Sequence, residues 1–140
     1  MWLRRLIGVM LVFGGGYGLF DVVQSLRRPL SDISVFIHVL FFLMYTWSIV
    51  AGIFVFENQG KGWLWAKILL LIQIPVIKTS VISYQFMVGA GLNADFAAAQ
   101  VRFRLATGAE YDLDFFVTHA LSLGVNIIAL VLFLFIWKRE

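Results

Sequence analysis

The side chains best suited to bind or transform something are two histidines, His38 and His119, together with Asp21 and Tyr84. Neutral imidazole ligates transition metals and, from two opposing helices, haem iron. Asp21 is of the type that orients an imidazole or adds a third ligand, and Tyr84 offers a phenolic hydrogen bond. The cofactor expectation is therefore a haem or metal ion held by His38 and His119, with no cofactor as the plainer reading. Neither an HxxxH spacing nor a Cys/His cluster backs the ligand reading. The chain contains no cysteine, which excludes disulfides, thiolate metal sites and cysteine nucleophiles. Asp21, His38, Ser80 or Ser83 and His119 include the residue types of a hydrolytic triad. No Gly-x-Ser-x-Gly context gathers them, so no catalytic residue is assigned and enzymatic function is not expected.

The elements that must position these groups are apolar. Hydrophobic residues make up 61% of the 140 residues and charged ones only 14%, a balance that points to an integral membrane protein. The sequence predicts an all-α integral membrane fold in one domain: four transmembrane helices in an antiparallel bundle, with a small extracytoplasmic β-hairpin between helices three and four. The spans fall at about residues 3–24, 33–56, 63–88 and 115–137, each long enough for a bilayer. Arg4 and Arg5 precede the first apolar run, which is read as an uncleaved anchor. Gly14 and Gly18 have the small-xxx-small spacing that lets helices pack closely. Pro29 ends the first helix, "ENQGKG" is a tight turn, and Pro75 is expected to kink the third span.

At 100° per residue the polar side chains of each predicted span gather on one stripe. The stripes are Gly14, Tyr17, Gly18 and Asp21; His38, Tyr45 and Gly52; Gln73, Ser80 and Tyr84; and His119, Ser122 and Asn126. Turned inward, they place Asp21, His38, Tyr84 and His119 at one level near the outer ends of the helices. Ionisable groups within spans are functional candidates by default.

One extracytoplasmic segment, about residues 91–114, reads differently. Within Val101 to Phe115, "VRFRLATGAEYDLDF", the apolar Val101, Phe103, Leu105, Tyr111, Leu113 and Phe115 alternate with Arg102, Arg104, Asp112 and Asp114. That alternation predicts a hairpin with its loop at Thr107, Gly108 and Ala109, pairing Arg104 with Asp112 or, two residues shifted, with Glu110. Asn93 is expected to cap a short surface helix through "ADFAAAQ". The basic residues form small groups at segment ends, so nucleic acid is not an expected partner. Counting Lys and Arg gives six on the side of the termini and four opposite, which puts both termini in the cytoplasm of a bacterial inner membrane.

The function expected is that of a small membrane accessory or structural subunit. Its outer hairpin, through Val101, Phe103, Leu105, Tyr111, Leu113 and Phe115, would dock on another membrane protein or a second copy of the chain. The alternative is a bundle binding haem, metal, quinone or an ion through His38 and His119.

Overall fold

The computed structural model describes residues 2–116 and 120–138. The described elements run α1 (Trp2–Leu26), α2 (Asp32–Phe56), α3 (Gly60–Gln73), β1 (Pro75–Lys78), β2 (Ile82–Ala97), β3 (Gln100–Phe115), β4 (Ser122–Asn126) and α4 (Ile127–Trp137). This overturns the all-α four-transmembrane-helix bundle. Among the described residues four helices share the fold with a four-stranded antiparallel sheet, and of these only α1 and α2 are long and apolar enough to cross a membrane. The third span predicted over residues 63–88 stops as a helix at Gln73, because Pro75 lacks the donor a further turn needs. The fourth, predicted over 115–137, is helical only from Ile127. There Asn126 caps the helix, its side chain accepting from Ala129 N at 3.3 Å.

The local hairpin predicted over residues 101–115 is also corrected. Val101 to Phe115 lies within the single strand β3, which pairs along its whole length with β2, from Ala97 opposite Gln100 to Ile82 opposite Phe115. The turn lies at Ala98 and Ala99, both with positive φ, and not at Gly108. Pairing with β2 satisfies sixteen residues, whereas a fold-back at Gly108 would satisfy only the short arms on either side. The helix expected through Ala94 to Gln100 is the end of β2 and this turn.

The β2–β3 ribbon nonetheless changes direction midway. Gly89 and Gly108 sit opposite each other, with φ of +86° and +97°, a region that side-chain-bearing residues rarely adopt. Six residues of straight strand separate their ends by about 20 Å, yet Arg104 reaches Glu110 at 2.7 Å, so β3 bends sharply between them. β1 and β4 bridge the bent ribbon. β1 pairs with the first half of β2, Lys78 opposite Ser83, and with all but the last residue of β4, Pro75 opposite Val125. β4 then pairs with the second half of β2, Asn93 opposite Asn126. The sheet thus curls round until its two edges are the two halves of one strand, β3.

The bend is seated on α1. A Cβ on Gly14 would lie 2.1 Å from Gly89 N, so helix backbone touches ribbon backbone at this point. Beyond it, the outward face of the first ribbon half carries Phe86 and Tyr111. These pack on Phe41 and Tyr45 of α2, with Phe41 and Tyr111 rings 4.9 Å apart. Gln73, fully buried at the end of α3, accepts from Val88 N at 2.9 Å and completes a ladder position next to the bend.

Candidate functional site

Register decides which side chains share a face, since opposed residues in an antiparallel pair point the same way. Ser83, Gln85, Asn93 and Asp95 of β2 therefore share one face with Asp114, Asp112, Glu110, Arg104 and Arg102 of β3, and with Lys78 of β1. This is the concave side of the curled sheet. The opposite, convex face carries Tyr84, Phe86, Val88, Phe96, Val101, Phe103, Leu105, Tyr111, Leu113, Leu123 and Val125.

The concave polar groups bond to one another diagonally across the ribbon. Ser83 donates its hydroxyl to Asp112, and Gln85 donates its amide to Glu110. Glu110 accepts also from the Arg104 guanidinium, which closes the gap between the two arms of β3. Deeper in, Asn93 and Asn126 are both 1% exposed, and their Nδ2 atoms and Asp95 Oδ1 have no hydrogen-bond partner among the described residues.

At the end of the fold remote from the chain termini, side chains from both faces of β3 and the helix ends line a cavity of about 710 Å³. Its walls are the last turns of α1 (Asp21, Gln24, Ser25, Arg28), the first turns of α2 (Ser34, Ile37, His38) and strand residues Lys78, Gln85, Arg104 and 109–114. Acids and bases both line it: Asp21, Glu110, Asp112 and Asp114 with Arg28, Lys78 and Arg104. Tyr111 anchors strand to helix by donating to Ser25 Oγ at 3.1 Å. His38 donates Nδ1–H to the Ser34 carbonyl at 2.6 Å. The edge of that ring packs on Tyr111, centroids 5.6 Å apart.

Of the residues singled out from the sequence, Asp21 and His38 come together in this cavity. Tyr84 does not join them: it lies on the convex face and donates to the Ile72 carbonyl of α3 at 2.8 Å. His119 lies outside the described residues. Among the described residues no group of three or more His, Asp or Glu is placed to hold a metal ion. Gly18 packs against the Tyr45 ring of α2, while Gly14 meets the ribbon bend rather than a helix. Val101, Phe103, Leu105 and Phe115 are exposed, whereas Tyr111 and Leu113 pack on the helical core.

Sequence reasoning missed Lys78, Gln85, Glu110, Asp112 and Asp114 as cavity residues. The signal was the alternation of Ser83 and Gln85 with Tyr84, Phe86 and Val88, a period of two that extends the pattern of β3 backward along the chain. Comparison with family models, with characterised proteins and with solved structures finds no match to this chain.

Proposed function

We propose that this chain is a membrane-embedded binding protein whose cavity takes a small polar solute carrying both positive and negative charge. α1 and α2 cross a bacterial inner membrane as a helical hairpin, with both termini cytoplasmic and the cavity facing outward. One observation carries the ligand reading: a cavity of about 710 Å³ holds four carboxylates and three Lys or Arg side chains at the ends of two strongly apolar helices. Charges beside a membrane core are costly to keep, and they mark binding or transport sites. Both signs line the cavity, so a zwitterion finds a counter-charge for each of its ends.

The test is native mass spectrometry of the full chain in mild detergent, combined with thermal unfolding in the presence of glycine betaine, phosphocholine and free amino acids. A bound small solute, with a transition raised by at least one of these compounds and unmoved in Asp21→Asn, is the expected result. An unliganded mass and an unmoved transition with every solute would refute the reading.

A second reading, docking on a membrane protein partner through Val101, Phe103 and Leu105, is favoured by the exposure of those three side chains, between 59 and 70%. In that case the chain is an accessory subunit, and the cavity plays a supporting role.

A further inference from the structure

The convex face of the distal sheet has two halves with different surroundings. Tyr84, Phe86 and Tyr111 are covered by the helices. Phe96, Val101, Phe103, Leu105, Leu123 and Val125 form a contiguous surface over three strands and are left 38 to 70% exposed among the described residues. An apolar surface of that extent in water is an aggregation hazard. We propose that lipid acyl chains cover it, and that the curled sheet sits in the outer leaflet beside α1 and α2. This inference rests on the membrane placement proposed above.

Three observations commit the surface to lipid. The convex face of the paired strand residues carries no Asp, Glu, Lys or Arg, while the concave face holds Lys78, Asp95, Arg102, Arg104, Glu110 and Asp112. Apolar outside and polar inside is the alternation of strands in a membrane barrel, the reverse of a soluble one. Length agrees as well. α3 continues into β1 with Ile74 as the only intervening residue, and β4 runs directly into α4. At 1.5 Å per helical and about 3.3 Å per strand residue, the α3–β1 and β4–α4 units span about 36 and about 33 Å, near the ~30 Å of bilayer hydrocarbon. The two units are tied at their joints, where Asn126 N donates to the Ile74 carbonyl at 2.8 Å, and again where Lys67, midway along α3, lies over the ring of Trp137 at the end of α4. Finally, backbone at membrane depth must be hydrogen-bonded or turned toward a polar interior. β4 lies between β1 and β2, β2 has partners on both sides at residues 83–84 and 93–97 with Gln73 accepting from Val88 N between them, and the two edge halves of β3 approach each other across the Arg104–Glu110 bridge beside the polar cavity.

This placement makes a depth prediction that a protein partner does not. The bend at Gly108 lies near the middle of α1 and the Ala98–Ala99 turn at the outer rim, so depth must increase from Val101 through Phe103 to Leu105. The chain has no native cysteine, so nitroxide labels can be attached singly to Val101→Cys, Phe103→Cys, Leu105→Cys and Leu123→Cys. The full chain is reconstituted alone in phosphatidylcholine vesicles, and collision with molecular oxygen is compared with collision with a water-soluble nickel chelate. Expected is an oxygen-to-nickel ratio that rises in order from 101 to 105. Phe13→Cys, exposed at mid-helix in α1, reports separately on the membrane placement itself. If Phe13 is in lipid but Leu105 and Leu123 collide freely with nickel, the sheet lies in water and the inference falls, with a protein partner as the remaining occupant. Low collision with both reagents, together with spin–spin broadening, would assign the face to a second copy and overturn it equally. If Phe13 itself meets nickel, the membrane placement fails and this inference falls with it. Leu105 and Leu123 lie on different strands, so a variant that does not fold leaves the other to decide.

Discussion

Gly14→Ala and Gly16→Ala, two substitutions one helical step pair apart, isolate the contact on which the sheet is seated. A Cβ at position 14 would lie 2.1 Å from Gly89 N and 2.6 Å from its Cα, whereas one at position 16 meets nothing within 4 Å. Neither partner atom at position 14 is a movable side chain, so α1 and the ribbon must separate by about 1 Å to restore ordinary contact. Forcing a methyl group into a packed interior costs about 1–3 kcal/mol. Replacing glycine by alanine inside a helix returns about 1 kcal/mol at either position, so that gain cancels between the two variants. The difference in stability is therefore about 1–3 kcal/mol, or roughly 3–10 °C in apparent midpoint. Thermal unfolding of both proteins in the same detergent, followed by the intrinsic fluorescence of the tryptophans, measures it. Equal midpoints, or Gly14→Ala the more stable of the two, would show that α1 does not rest on the bend.

The bend itself is tested by a double-mutant cycle on Arg104→Gln and Glu110→Gln: a coupling of about 0.5–1 kcal/mol is expected for a half-exposed pair, and none if the ribbon is straight. Gln73→Leu leaves Val88 N without its acceptor and should destabilise by about 1–3 kcal/mol, while Gln73→Glu, which keeps an oxygen at that position, should lose less. Urea or thermal unfolding compares the two, and an equal loss would mean that the bond to Val88 N contributes nothing.

Much of the helical hairpin was legible in the sequence, because α1 and α2 are long apolar runs bounded by Arg4 and Arg5, Pro29 and the ENQGKG turn. The alternation of β3 was legible too, whereas Arg104 and Glu110 meet because the strand bends and not because it folds back as a hairpin. What misled was the assumption that a strand pairs with its nearest neighbour in sequence. Its partner, Ile82–Ala97, carries Tyr84, Phe86, Val88 and Leu92 in a context so apolar that a helical period fits it as well as a strand period. Asp21 and His38 both line the cavity, and their depth along two helices depends only on rise per residue. Tyr84 was misplaced because the same arithmetic was applied to a segment that is extended. The acids of β3 escaped notice as cavity residues because a local hairpin would have paired them with Arg102 and Arg104 in solvent.

The double pairing of β1 has a consequence for the order of assembly. Only two of its residues pair with β2, but all four pair with β4, a strand made long after β1 during synthesis. The β2–β3 hairpin can close by itself once the Ala98–Ala99 turn exists. β1 cannot, and α3, which leads into it, has no fixed seat while that strand keeps open backbone groups. Closure of the second half of the sheet is therefore a single late event that waits for residues 122–126, and a chain halted before them leaves β1 half-paired.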